Sequence, residues 1–76
     1  NFDFAVPSDI CFAGEVGLSG EIRPVAQADR RITEASRLGY KRIYISSYTS
    51  LDLQHEGIEV VKVADIPALC RSLFKG

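Results

Sequence analysis

The side chains best suited to chemistry in this sequence are basic, and six of its nine Lys and Arg residues fall within residues 23–42. A guanidinium group forms forked hydrogen bonds with phosphate oxygens and displaces counterions when it does so. The net charge of the chain is −1, so any attraction to a polyanion must come from a local patch. The candidates for such a patch are Arg23, Arg30 and Arg31. The alternative is a solvated face, because Arg30 and Glu34 have the i, i+4 spacing of a helix-surface ion pair.

Three glycines form a second candidate, since Gly14, Gly17 and Gly20 give the spacing G-x-x-G-x-x-G. Glycine-rich loops can cradle phosphate where a helix begins directly after them, and in a P-loop a lysine follows. Neither feature is present in this sequence. The glycines are therefore interpreted as turn residues of a hairpin.

The remaining reactive side chains are isolated. His55 has too few acidic neighbours for a triad or a metal site, and it is predicted to be a solvated loop histidine. Ser19 has no base at a recognisable spacing, which argues against a nucleophile. Cys11 and Cys70 lack the paired spacing of a zinc or redox motif and are predicted to be small buried apolar residues.

Length and composition indicate one ordinary folded domain. The chain has 76 residues, of which 46% are hydrophobic and 25% are charged. These values lie outside the range typical of disorder, and no apolar run reaches the length of a membrane span. With no signal of export, a cytoplasmic location is expected. The start at Asn1 in place of methionine suggests a fragment of something longer.

The periodicity of apolar residues predicts an α/β fold with the order β-β-α-β-β-α. Both helices are expected to cover one face of a small mixed sheet, leaving the other face or one edge open. The first two strands are predicted to form a hairpin, and the first helix is predicted to form a βαβ crossover between the second and third strands. Residues 47–57 are predicted to be a polar loop. The predicted strands are 10–16, 21–25, 41–46 and 58–63, and the predicted helices are 27–38 and 66–74 with Asp65 as the cap of the second.

The run Gly14–Val25, followed by Arg31–Ala35 and Leu38–Tyr40, closely resembles the C-terminal region of bacterial RadA (Sms) DNA repair proteins. The resemblance covers residues 9–46 well and the rest of the chain in pattern only. That region of RadA is similar to the proteolytic domain of Lon, a ribosomal protein S5 domain 2-like fold. The resemblance implies that residues 1–76 are a single partial domain, about half of a Lon-like domain.

The resemblance also implies a function. RadA proteins combine a zinc-binding N-terminal segment with a RecA-like ATPase core, assemble as a hexameric ring and drive branch migration in recombination. ATP, Mg and Zn would then be bound outside this chain, which should need no cofactor of its own and should not be an enzyme. Its expected partners are DNA and further copies of the chain, with no membrane and no small-molecule substrate. Arg23, Arg30 and Arg31 would be the phosphate contacts.

Two alternatives remain open. One is a purely structural module that packs subunits into a ring without touching DNA. The other is an inactive fragment of a Lon-type peptidase. In those peptidases the nucleophilic serine lies in a segment that would precede Asn1, and the catalytic lysine aligns with Asp29 of this chain. An aspartate cannot replace the amine that activates the serine, so the resemblance implies no peptidase chemistry.

Overall fold

The computed structural model describes residues 9–74, which form an α/β fold with two helices packed on a small parallel sheet. The α/β class and the two helices predicted from the sequence are confirmed. The elements in chain order are β1 (Ile10–Ala13), β2 (Glu15–Val16), β3 (Ile22–Arg23), α1 (Ala28–Arg37), β4 (Arg42–Ser46), β5 (Glu59–Val63) and α2 (Ile66–Phe74).

β4 is the central strand of the main sheet, and it pairs in parallel with β1 on one side and β5 on the other. Ile43 lies opposite Cys11 in β1 and Val60 in β5. β2 and β3 form a separate two-stranded antiparallel ribbon, which confirms the predicted hairpin. β3 ends at Arg23, directly before Pro24, a residue that cannot donate to a strand ladder.

The strands are arranged differently from the predicted single mixed sheet. The predicted strand 10–16 breaks at Gly14 into β1 and β2, which belong to different sheets. The parallel strands connected through α1 are β1 and β4, whereas β3, predicted as a strand of this unit, lies in the ribbon. β3 leaves the main sheet because its Ile22 N–H donates to the carbonyl of Ala64 and its side chain is fully buried beside α2.

The two helices lie on opposite faces of the sheet, so the prediction that both cover one face is wrong. Side chains alternate along a strand, and Ile43 and Ile45 of β4 pack with Ile32 of α1. Tyr44, between them, packs on the other face against Leu69 and Leu73 of α2. The physical reason is that β4 is buried on both faces, as central parallel strands are, and each face requires its own helix.

The helix ends follow from local chemistry. α1 begins after Gln27, which has the left-handed φ of 57°, and the chain leaves the helix at Gly39 with φ 96°, a conformation that favours glycine. α2 begins after Asp65, whose carboxylate accepts a hydrogen bond from the Ala68 N–H at 2.9 Å. The predicted cap at Asp65 is therefore present.

We predict that Ile45→Ala destabilises the chain by about 2–5 kcal/mol, because Ile45 is fully buried between β4 and α1 and its removal leaves a cavity. Urea denaturation followed by circular dichroism measures the effect. Leu18→Ala is the control, since Leu18 is fully exposed in the turn between β2 and β3. Equal effects of the two substitutions would contradict the placement of the core.

Candidate nucleic-acid interface

Arg30 and Arg31 lie next to each other on the exposed side of α1, as the sequence pattern predicts. Neither belongs to the buried stripe of that helix, which consists of Ala28, Ile32 and Ala35. The Nε of Arg31 donates to the carbonyl of Ala26 at 3.3 Å, which holds its stem against the start of the helix. Together with Gln27 and Glu34, the two arginines line a shallow surface depression of about 300 Å³.

The other three arginines of the basic segment form ion pairs with carboxylates. Glu34 bonds to Arg37 one turn later, so the alternative pair with Arg30 does not form. Within residues 9–74, Arg30, Arg31 and Lys41 are the members of the segment that have no ion pair. The pairs are Arg23 with Glu21 at 2.8 Å, Arg37 with Glu34 at 3.5 Å and Arg42 with Glu59 at 2.9 Å.

Arg23, the third predicted phosphate contact, is exposed but committed to Glu21. Its Nε and one of its two terminal nitrogens donate to Oε2 of Glu21, at 3.1 and 2.8 Å. The pKa of Glu21 is lowered, first by the hydrogen bond from its own backbone N–H and then by the bond from Arg23. Arg23 therefore presents less net positive charge than Arg30 or Arg31.

The glycine-rich turn between β2 and β3 holds a carboxylate of its own chain. The Ser19 N–H donates to Oε1 of Glu21 at 3.1 Å, and Gly17 contacts this carboxylate so closely that a Cβ at that position would overlap it. No helix begins directly after Gly20, because β3 follows. The interpretation of the glycines as turn residues agrees with this geometry, since the space for an anion is already filled.

Asp29 and His55 form a contact that the sequence analysis did not predict. The Nε2 of His55 lies 2.6 Å from Oδ1 of Asp29, and its side chain is only 7% exposed. The prediction of a solvated loop histidine is therefore wrong. The two residues are 26 positions apart, so local spacing carries no signal of their contact. A carboxylate in the first turn of α1 was visible in the sequence, but its partner was not.

The Asp29 carboxylate also forms hydrogen bonds with the backbone of the predicted loop 47–57. It accepts hydrogen bonds from the N–H groups of Asp52, at 2.8 Å, and Leu53, at 3.2 Å. These bonds, first the one from Asp52 and then the one from His55, hold the pKa of Asp29 below its ordinary value of 3.8. Asp29 therefore stays ionised and only accepts, so His55 is the donor. We call Asp29 with residues 52–55 the loop latch.

The remaining reactive side chains take part in packing and hydrogen bonding within the fold. Tyr44 Oη lies 3.0 Å from Ser72 Oγ and accepts from Arg42, and hydrogen bonds to Tyr44 and Glu59 raise the pKa of Arg42. Cys11 and Cys70 are unpaired and partly buried, and burial raises the pKa of the Cys11 thiol. They are thus less buried than predicted.

Metal-binding clusters and membrane-spanning helices do not occur in the part of the chain that the structure describes. Within residues 9–74, no group of three or more His, Cys, Asp or Glu side chains could hold a metal ion. Neither helix in the same range has the length and apolar character needed to cross a membrane.

Known proteins resemble this chain over most of its length. It is 43% identical over 72 residues to the DNA repair protein RadA of Bacillus subtilis, which covers 92% of the chain. It is 44% identical over 69 residues to RadA of Aquifex aeolicus, covering 91%, and 42% identical over 66 residues to RadA of Streptococcus pneumoniae, covering 84%. The chain spans only about 15% of the length of these relatives. No protein-family model matches it.

We predict that Asp29→Asn lowers the melting temperature by roughly 5 °C or more, because the amide lacks the charge that the three donors of the loop latch share. Asp52→Asn is the matched control, since Asp52 contributes only its backbone N–H to the latch. Differential scanning calorimetry at pH 7 measures both variants. Similar melting temperatures for the two would show that the latch does not stabilise the fold.

The destabilisation caused by Asp29→Asn should also depend on pH, and the direction of this dependence follows from the pKa of Asp29. The pKa of Asp29 is lower in the folded chain than in the unfolded one, so its contribution is complete above the unfolded pKa. It is lost as the pH falls through the folded pKa. The difference between wild type and Asp29→Asn should therefore shrink below pH 3.8. A difference that grows on acidification would contradict this account.

Proposed function

This chain belongs to the RadA family of bacterial DNA repair proteins, and we propose that it is a non-catalytic part of a DNA repair ATPase that contacts DNA and joins subunits. The parent assembly would be a homo-oligomer that drives branch migration during recombination. ATP, Mg and Zn would be bound elsewhere in that parent, and this portion would use no cofactor and no small-molecule substrate. The proposed location is the cytoplasm. A Lon-like, C-terminal position of this portion in the parent is part of the same proposal.

The observation that carries the proposal is the free positive charge on the first turns of α1. Arg30 and Arg31 are exposed, adjacent and, within residues 9–74, without a carboxylate partner. Gln27 beside them adds an amide that can donate to a phosphate oxygen. Such groups bind the DNA backbone without distinguishing bases, which suits a motor that must move over any sequence.

Arg23 is the third proposed phosphate contact, but its pairing with Glu21 weakens that contact. Its guanidinium is exposed on the ribbon, yet two of its three nitrogens, Nε and one terminal nitrogen, donate to Glu21. A phosphate would have to compete with this carboxylate, and the exchange of one anion for another yields little net free energy. We therefore propose Arg30 and Arg31 as the main contacts and Arg23 as a weaker one.

A purely structural module remains the second candidate, and the position of β1 at the edge of the main sheet within residues 9–74 favours it. In this case the arginines would belong to a solvated face or a subunit contact. An inactive peptidase fragment is the third candidate. The loop latch argues against it, because the position aligned with the catalytic lysine carries a carboxylate already bonded to three donors.

We predict that Arg30→Ala combined with Arg31→Ala weakens DNA binding equally for all sequences. It should also flatten the dependence of log K on log salt by about two units, roughly one for each phosphate that is no longer neutralised. Fluorescence anisotropy with a labelled duplex, at low and rising salt, gives both quantities. Because the chain has a net charge of −1, binding by the chain alone should be weak.

Arg37→Ala is the matched control, since it removes the same side chain from the same helix but from a pair with Glu34. It should change the salt slope much less. Glu21→Gln should strengthen binding by releasing Arg23. If the double variant binds with unchanged affinity and slope, the DNA-contact proposal fails and the structural module replaces it.

We also predict that neither the chain nor its Asp29→Lys variant has peptidase activity. The variant supplies an amine at the aligned position but no serine nucleophile beside it, and it should lower the melting temperature by removing the acceptor of the loop latch. Hydrolysis of fluorescent casein, compared with an active Lon preparation, measures the activity. Casein hydrolysis that co-purifies with the variant would contradict this prediction.

A further inference from the structure

The groove between β5 and α2 carries positive charge that no carboxylate of residues 9–74 balances. Its volume is about 620 Å³, and its lining includes two exposed cations, Lys62 from β5 and Arg71 from α2. Within residues 9–74 neither cation forms an ion pair, and no acidic side chain in this range lines the groove. Lys62 donates to the Thr49 carbonyl at 3.3 Å and keeps its other N–H donors. We call this groove the basic groove.

The rest of the basic groove is mostly apolar. Val61 and Ala68 line it, and both are partly buried residues that pack against the core on the α2 side of the sheet. A complementary surface therefore needs two features. It must bring carboxylates to Lys62 and Arg71, and it must bring an apolar side chain to the surface between β5 and α2.

The crossover loop between β4 and β5 carries such a surface. Asp52 and Glu56 are exposed in this loop, and within residues 9–74 neither forms an ion pair. Leu53 lies between them in sequence, and its apolar side chain is 60% exposed. We call Asp52, Leu53 and Glu56 the acidic tip. Its charge and apolar content match those of the basic groove.

The loop latch holds part of the acidic tip in a defined position. Asp29 accepts hydrogen bonds from the backbone N–H groups of Asp52 and Leu53, at 2.8 and 3.2 Å. These bonds use the backbone, so the side chains of both residues are left for contacts outside the fold. Because the backbone is already ordered, less conformational entropy is lost when the acidic tip binds a partner.

The acidic tip and the basic groove belong to opposite faces of the main sheet. The crossover loop is bonded to α1, and its Leu51 packs against the core on the α1 side. The basic groove borders α2 on the other face. A contact between the two surfaces leaves one acidic tip and one basic groove unoccupied in a pair of chains, so further copies can be added.

We propose that the acidic tip of one copy of this chain binds the basic groove of the next copy, head to tail. Asp52 and Glu56 pair with Lys62 and Arg71, and Leu53 covers the apolar residues of the groove. Head-to-tail contacts generate rings when the rotation between copies closes, and a ring is the assembly that the family resemblance implies. The proposal rests on the homo-oligomer part of the proposed function and gives it two surfaces.

Sedimentation velocity at low salt tests this contact with two charge-reversed variants. One combines Asp52→Lys with Glu56→Lys, and the other combines Lys62→Glu with Arg71→Glu. The wild-type chain should associate at high micromolar concentration, and its weight-average sedimentation coefficient should rise beyond that of a dimer. Each variant should associate at least about ten-fold more weakly, because like charges then meet at the contact. Circular dichroism verifies that both variants fold.

The chain that carries all four substitutions provides the rescue. Its two charge reversals cancel, so its net charge is again −1, as in the wild type. The basic tip and the acidic groove of this variant are complementary, and association should return towards the wild-type strength. Glu15→Lys is the matched control for Asp52→Lys, since Glu15 is an exposed carboxylate of β2 outside both surfaces, and it should leave association unchanged.

Three results would overturn head-to-tail binding. The first is a wild-type chain that stays monomeric at all concentrations. The second is a folded four-substitution chain that associates no better than the two charge-reversed variants. The third is association that ends at a dimer, since this would require a contact between identical surfaces.

The outcome is separable from that of the DNA proposal. Association is measured without DNA, and the Arg30→Ala and Arg31→Ala substitutions that test the DNA contact leave the acidic tip and the basic groove intact. Charge-dependent association without arginine-dependent DNA binding would defeat the DNA contact alone. Arginine-dependent DNA binding by a chain that stays monomeric would defeat head-to-tail binding alone.

Discussion

The burial of β4 on both of its faces is the constraint on which the rest of the structure depends. Ile43, Tyr44 and Ile45 are each at most 1% exposed, so no face of this strand is available to water. Hydrogen bonds to β1 and β5 satisfy its backbone, while α1 covers one face and α2 the other. A chain of this size can build only a small core, and one strand shared by two clusters lets a helix pack on each of its faces.

The helices could be predicted from the sequence because each carries a complete local signal. α2 has an apolar stripe after the capping residue Asp65, and α1 has the stripe Ala28, Ile32 and Ala35 with Gly39 behind it. The arrangement of strands could not be predicted in the same way. Tyr44 can belong to a core or to a surface, and its hydroxyl group makes an exposed position plausible. Only the packing of α2 decides that its ring is buried and its oxygen bonds to Ser72.

The sequence predicted where the candidate interface lies, but not which of its arginines form ion pairs. The sequence places Arg30 and Arg31 outside the apolar stripe of α1, and there they lie. Which arginines keep their charge unpaired depends on where the glutamates fall in three dimensions. Glu59 reaches Arg42 from the neighbouring strand, Glu21 bonds to Arg23 two residues further along the chain, and Glu34 has basic residues on both sides and bonds to Arg37. The contact of Asp29 with His55 depends on the path of a whole loop, which local periodicity does not encode.

The irregular path between β4 and β5 has a consequence for motion. Parallel neighbours are usually connected by a helix, but here residues 47–58 cross over with few regular hydrogen bonds of their own. Local opening of such a segment costs less free energy than global unfolding, so its amide protons should exchange with solvent while those of β4 remain protected. Each opening would also release the Asp29 carboxylate from its donors, next to Arg30 in the first turn of α1. The electrostatic potential at that helix end is thus tied to whether the crossover is open or closed.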